Sequence, residues 1–292
     1  MPELPEVETI RRGLKDLISG KKIVKIEILN LKSYPNSQTD TNNFVIGYHI
    51  IDVRRRAKLL MIDLNSGYSL LIHLKMTGQL VYVSKKLRFG AGHPNDSLVN
   101  QLPDKSTRVI IELSDSNLFF NDQRKFGWIK LLPTDLLTDE TYFSKHGPEP
   151  LENLTLTAFK NNLKKRLKSN IKAVLLDQSV IAGIGNIYAD ESLFLAKIHP
   201  KTMVGDIGSK KLADLYKSIQ QVLQLSISKG GSTDKNYVNA EGKKGSYLEF
   251  AKVFRRDNLP CPVCGTTIIK IRVASRGTHL CPKCQKVKIL TR

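Results

Sequence analysis

The sequence predicts an α+β protein of two domains, on three observations: short apolar runs broken by turn residues over residues 1–132, helical periodicity from Leu156 onward, and four cysteines confined to the last 32 residues. A leading helix opens the first domain. In MPELPEVET, Pro5 suits a first helical turn, carboxylates there complement the helix dipole, and Val7, Ile10, Leu14, Leu17 and Ile18 recur on one face. KIVKIEIL follows, then LLMIDL and YSLLIHL either side of Asn65-Ser66-Gly67, then RVIIEL and LFFND either side of Ser114-Asp115-Ser116-Asn117, a pattern of β-hairpins. Residues 84–106 show little periodicity and predict a long loop.

A linker is predicted over 133–150, where HGPEPLENLT begins with two prolines and a glycine. A helical domain over 151–228 follows, built from LTAFKNNLKKRL, IKAVLLDQS, NIYADESLFLAKI and SKKLADLYKSIQQVLQLSISK. Residues 229–252 are rich in Gly, Lys and small polar groups and predict a basic surface loop, and 253–292 form the cysteine segment. No run of 18 apolar residues occurs and the first 20 residues mix charge throughout, so a cytoplasmic protein, associated with the nucleoid, is expected.

Forty-six Lys and Arg against 27 Asp and Glu give a net charge of +19, which points to a polyanionic partner, most economically nucleic acid. The cysteines fall as CPVC, sixteen residues, then CPKC, and Cys261, Cys264, Cys281 and Cys284 in this spacing suit one tetrahedral, structural zinc on two knuckles joined by a hairpin. Four thiolates leave no open coordination position for catalysis. Residues 255–292 carry nine basic side chains and one acidic one, a platform of cations for phosphates. Arg276, before Gly277 at an expected hairpin tip, is the candidate for a reaching side chain, with a solvated turn arginine as the plainer alternative. In GIGNIYADE two glycines precede Asn186 at a helix start, where free backbone N–H groups can receive a phosphate or Asn186 can simply cap the helix.

The opening residues also carry a chemical reading. Removal of the initiator Met would leave Pro2 with a secondary α-amine, and an α-amino pKa of about 7.7 to 8.0 leaves roughly a tenth of it neutral at pH 7. Its attack on an aldehyde-like carbon gives an iminium, an electron sink that drives elimination from an attached sugar, with Glu3 next door to move protons.

MPELPEVET, RRRAKLL, HLKMTG, NDQRKFG, GPEPL, AGIGNIYADE, KGGST and the paired CPxC motifs occur in this order across nearly the whole chain, which resembles the formamidopyrimidine-DNA glycosylases. That resemblance implies an N-terminal β-sandwich with a leading helix, a C-terminal helix-two-turn-helix bundle, and a four-cysteine zinc-finger hairpin. The implied activity is a monomeric base-excision glycosylase with AP lyase (β,δ-elimination) chemistry, removing 8-oxoguanine and formamidopyrimidines flipped from a kinked duplex. It further implies that Pro2 is the Schiff-base nucleophile at the deoxyribose C1′, Glu3 the acid that assists ring opening, Glu6 its support, and Lys58 a basic catalytic group near the lesion's phosphate. Met76 and Phe126 would wedge into the hole left by the extruded base, and Arg124 would hydrogen-bond the orphaned cytosine. Asn186 and Arg276 would clamp phosphates, Lys172 would lie in a basic DNA-binding helix, and Gly230 to Tyr247 would close over the purine.

The chain departs from the family in two places. Asp104-Lys105-Ser106-Thr107 stands where a His-Asp-His stretch is common, and VFRRDN where a Tyr-Gly-Arg-like turn is usual. Two alternatives are an endonuclease VIII-like enzyme for oxidised pyrimidines, which shares the proline chemistry, and a non-catalytic zinc protein that binds nucleic acid. PELPEV, the HLKMTG wedge and the Gly-Lys lid favour the purine enzyme, and an intact Pro2-Glu3 pair argues against the scaffold.

Overall fold

The computed structural model describes residues 2–93, 95–137, 141–232 and 246–286, with the backbone alone at 141 and 142. The chain divides into two compact units, Met1–Ser144 with Ile227–Tyr247, and Lys145–Ser226 with Leu248–Arg292.

The first unit opens with α1 (Leu4–Ile18), whose Leu4, Val7, Ile10, Leu14 and Ile18 are all buried, as the 3.6-residue spacing predicts. Then come β1 (Ile23–Ile28), α2 (Gln38–Phe44), β2 (Ile50–Arg56), β3 (Leu59–Leu64), β4 (Tyr68–His73), β5 (Gly78–Ser84), β6 (Arg88–Gly92), β7 (Thr107–Leu113), β8 (Ser116–Asp122), β9 (Trp128–Pro133) and α3 (Thr141–Ser144). They pair in a five-stranded sheet of order β1-β7-β8-β5-β6 and a four-stranded sheet β2-β3-β4-β9. Every pairing is antiparallel. Side chains from both sheets and from α1 share one core, so this is a β-sandwich with its leading helix packed in. The run LLMIDL is apolar throughout because both faces are covered. Leu60, Ile62 and Leu64 enter the main core, and Leu59 and Met61 pack outside with Leu71, Leu137 and Trp128.

The stretch 84–106 is not a long loop, since it contains β6 and a short 3-10 turn. In RFGAG, Gly90 abuts Leu98, and a Cβ on Gly92 (φ +128°) would come within 2.4 Å of the Gly78 carbonyl oxygen. Glycines occupy positions where close neighbours leave no room, so the strand shows no alternation in the sequence. Leu98 and Leu102 fold back over the outer face of the sheet, against Val81, Ile110 and Phe119. Arg88 fixes this cover by donating to the carbonyls of Leu98, Ser97 and Asn100 at 2.9, 3.1 and 2.6 Å. Asp104 holds its far end through the Ser97 and Ser106 hydroxyls, at 2.5 and 2.7 Å. The departure at 104–107 is thus a local hydrogen-bonded staple.

The second unit holds α4 (Leu156–Lys164), α5 (Ile171–Leu176), α6 (Asn186–Leu195), α7 (Ser209–Ser228) and α8 (Tyr247–Phe250), the last two of which run across the unit boundaries. It closes with a hairpin of β10 (Ile269–Val273) and β11 (Arg276–Leu280). Thr155 and Asn170 cap α4 and α5 by accepting from the Ala158 and Ala173 N–H groups. No described helix is long and apolar enough to cross a membrane.

Candidate active site and nucleic-acid interface

In the first unit Pro2, Glu3 and Glu6 are buried at the start of α1. Glu6 works as a brace: one carboxylate oxygen accepts the Glu3 N–H at 2.8 Å and the other the Ser232 N–H, also at 2.8 Å. Gly231 makes that approach possible. Its φ is +86° and a Cβ there would lie 3.1 Å from the same Glu6 oxygen, so a side chain would be strained and crowded at once. The first turn is thereby tied to the base of the 229–247 segment, of which 233–245, most of the expected lid, lie outside the described residues.

Lys58 sits in the two-residue turn between β2 and β3, after Ala57 at φ +51°, and is 6% exposed. A solvent-facing strand lysine would be mostly exposed. The turn is held from α1: Glu8 accepts from Arg55 Nε at 3.1 Å, and the same guanidinium donates to the Ala57 carbonyl at 3.1 Å. Burial pushes the Glu8 carboxyl up, but hydrogen bonds from Arg11, Arg12 and Arg55 outweigh it and hold the group at about 2.

Met76, Arg124 and Phe126 belong to two loops, 74–78 and 122–127. Met76 is half-buried, Arg124 is exposed, and Phe126 is 54% exposed with the Arg124 guanidinium 4.8 Å from its ring centroid. An exposed phenylalanine with a cation above its ring is the kind of apolar surface a partner can cover.

In the second unit Asn186 is the first residue of α6. Gly185 is the cap and offers no side chain, so the plain Asn-cap alternative fails. Asn186 instead donates Nδ2–H to the Gly277 carbonyl at 3.0 Å, while its Oδ1 has no hydrogen-bond partner among the described residues. Arg276 is exposed, but it is not at the hairpin tip. Ala274 and Ser275 make the turn, with φ of +51° and +60°, and Arg276 opens β11 opposite Val273. The tip was hidden because the turn lacks the usual Asn-Gly.

Lys172 needs a correction as a DNA-facing residue. It is fully buried, and its ammonium donates to Asp190 at 2.6 Å, to the Thr278 hydroxyl at 2.7 Å and to the Gly277 carbonyl at 3.3 Å. Asp190 also accepts the His279 N–H at 2.9 Å. The pair therefore fastens α5 and α6 to the hairpin that carries Arg276. The resemblance implied a basic DNA-binding helix for Lys172, but an ammonium with a buried carboxylate partner can turn inward.

The four cysteine sulfurs lie within 4.8 Å of one another, with Sγ separations of 3.9 Å for Cys261 and Cys284 and 3.5 Å for Cys264 and Cys281. A tetrahedron of Zn–S bonds of about 2.3 Å has edges of about 3.8 Å, so the set fits one structural zinc. Backbone N–H groups of Val263 and Cys284 point at the Cys261 and Cys281 sulfurs, each at 3.4 Å, as thiolate ligands require.

Several participants were not assigned a holding role from the sequence. Asp122, Asp190, Glu8 and Thr77 all lie inside quoted motifs, yet each acts by organising a neighbour. Only Asp122 had a local signal, since an Asp ending a strand before Arg, Lys, Phe and Gly is a common turn former.

The family models of the formamidopyrimidine-DNA glycosylase N-terminal domain, its H2TH domain, and the zinc finger found in FPG and IleRS match residues 1–129, 146–237 and 258–287. A formamidopyrimidine-DNA glycosylase of Pelotomaculum thermopropionicum is 40% identical over 99% of this chain and 100% of its own length. The Lactococcus lactis Fpg, solved with an abasic site containing DNA, superposes with a TM-score of 0.86 at 34% identity, covering 98% of this chain and 100% of that one. MutM in complex with carbocyclic 8-oxo-G containing DNA gives a TM-score of 0.85 at 33% identity over the same shares. On these matches, spanning a β-sandwich, a helical domain and a four-cysteine hairpin, the chain belongs to the formamidopyrimidine-DNA glycosylase family of base-excision repair enzymes.

Proposed function

We propose that this protein excises oxidised purines, 8-oxoguanine and formamidopyrimidines, from duplex DNA and then cleaves the strand by β,δ-elimination through a Schiff base on Pro2. The observation that carries this reading is the buried first turn of α1. There Glu6 holds the Glu3 backbone at 2.8 Å, beside Pro2, and ties it to Ser232 in the segment that would close over the base.

In this reading the Pro2 amine, freed by removal of Met1, bonds to C1′ as the base departs with a proton. Glu3 protonates the sugar ring oxygen and the ring opens to an iminium. Loss of a C2′ proton expels the 3′ phosphate, a second elimination expels the 5′ phosphate, and water releases the sugar remnant from Pro2. Lys58, buried beside the Glu8 and Arg55 brace, is the basic group for these proton transfers. Met76 and Phe126 fill the gap, Arg124 pairs with the estranged base, and Asn186 and Arg276 take phosphates. Lys172 acts through Gly277, whose carbonyl accepts from both Lys172 and Asn186. The domain boundaries read from the sequence, with 1–132 as the catalytic sandwich and 253–292 as the zinc finger, belong to the same proposal. So do a monomeric state and a cytoplasmic, nucleoid-associated location.

A matched pair of duplexes tests the substrate class. Cleavage of 8-oxoguanine opposite cytosine should be much faster than cleavage of thymine glycol. The reverse order would assign the chain to oxidised pyrimidines.

A further inference from the structure

Asp122 ends β8 fully buried, and what it binds is a pair of loops. One carboxylate oxygen accepts the Thr77 hydroxyl and the Arg124 N–H, the latter at 3.2 Å. The other accepts the N–H groups of Phe126 and Gly127 at 2.8 and 2.6 Å. The Thr77 hydroxyl in turn accepts the Arg124 N–H at 3.1 Å, closing a ring of bonds among Thr77, Asp122 and Arg124. Thr77 follows Met76, and the N–H groups held are those of Arg124 and Phe126 themselves. Arg124 and Phe126 are therefore fixed through their own backbone N–H groups, and Met76 through the side chain of the residue that follows it.

The loops are under conformational constraint at this point. Lys75 and Lys125 adopt φ of +50° and +57°, values that residues other than glycine keep only where the surroundings over-determine them. Space is tight as well. A Cβ on Gly127 would fall 2.8 Å from the Phe120 ring and 3.1 Å from the Asp122 carboxylate, and one on Gly78 would fall 2.4 Å from the Leu74 carbonyl oxygen. Meanwhile Arg124 and Phe126 project into solvent. The backbone is anchored and the side chains are not.

A carboxylate that capped only the 122–127 turn would stabilise that loop alone. The Thr77 bonds add a relation between loops, fixing the Met76 loop against Arg124 and Phe126. We propose that Asp122 and Thr77 are positioning residues that lock the two loops into one wedge and so set selectivity for the base opposite the lesion. The inference rests on the reading of Met76, Arg124 and Phe126 given above. Its chemistry is directional: a guanidinium presents paired donors that match the two adjacent acceptors on the cytosine edge, whereas adenine places a donor beside its single acceptor. That distinction survives only if the guanidinium arrives in a fixed pose.

The test is the ratio of kcat/KM for 8-oxoguanine opposite cytosine to that opposite adenine, measured for the parent protein, Thr77→Val, Thr77→Ser, Asp122→Asn and Arg124→Ala. Melting temperature is followed for each. Thr77→Val keeps the side-chain shape but neither donates nor accepts, and it should lower the ratio about three- to tenfold, since the Arg124 N–H keeps its bond to Asp122, while Thr77→Ser restores it. Asp122→Asn turns an amide donor toward N–H groups and should lower the ratio further. Should that variant not fold, Thr77→Val decides. A ratio that falls in Arg124→Ala but stays at the parent value in Thr77→Val, whatever the melting temperature does, overturns the clamp and leaves the wedge intact. A ratio unmoved by Arg124→Ala overturns the wedge reading and the inference with it.

Discussion

Two buried aspartates show how differently the units hold out their exposed side chains. Asp122, in the β unit, takes a threonine hydroxyl and three backbone N–H groups from loops adjoining its own strand. Asp190, in the helical unit, faces the Lys172 ammonium at 2.6 Å and the His279 N–H at 2.9 Å, and so joins α5 and α6 to a hairpin about ninety residues further on. The first arrangement shapes loops within an already cooperative sandwich. The second spans segments far apart in the chain. Among the described residues, the small cluster around Cys261 and Cys281 includes Phe194, Val253 and Ile268 as its other buried members, so the hairpin draws on its metal and its ion pair as well.

That contrast predicts unequal sensitivity, and the largest effect should come from the metal. Stripping it with a chelator should release the hairpin with Arg276 and reduce duplex binding severely, while amide hydrogen exchange over β3, β4 and β8 stays at the level of the intact protein. Equal loss of protection in both units would show that they do not depend on different supports. Next comes Lys172→Met, which leaves Asp190 buried without its cation. The loss should be about 3–5 kcal/mol in the unfolding of the helical unit, read by denaturant titration. A change near zero would mean that Asp190 is satisfied without Lys172.

The smallest effect concerns the brace behind Lys58. Glu8 titrates lower in the folded chain than its ordinary value of 4.5, at about 2, so its contribution is fully present above that ordinary value and lost as pH falls toward 2. Glu8→Gln should therefore be less stable than the parent at neutral pH, and the gap between their urea midpoints should narrow progressively below about pH 4.5. A gap that is constant with pH would separate Glu8 from the charge network.

The sequence disclosed whatever has a period or a fixed spacing. α1, β3, β4 and α7 follow directly from apolar recurrence, and the zinc site from two CPxC pairs. It concealed β6, because glycines under Leu98 and beside Gly78 erase the alternation that marks a strand. The hairpin tip was misplaced by two residues for a related reason: Ala274 and Ser275 reach positive φ without the residues that usually announce it. At the site, the motifs pointed to side chains that face outward or carry chemistry, such as Phe126, Arg124 and Pro2. The residues that hold them act through side-chain hydrogen bonds that no apolar period marks, some local, as from Asp122, and some distant, as from Thr77. Lys172 is the instructive case. A basic residue on a helix reads as a surface cation, and only the fold shows that Asp190, eighteen positions later, draws it inside.

Borohydride trapping on a duplex carrying 8-oxoguanine opposite cytosine, with mass spectrometry to locate the cross-link, tests the central claim most directly. An adduct on the nitrogen of Pro2, in protein lacking Met1, is the predicted result. An adduct on a lysine, Lys58 included, or no adduct from protein that lacks Met1, holds its metal and still cleaves the strand, would contradict it.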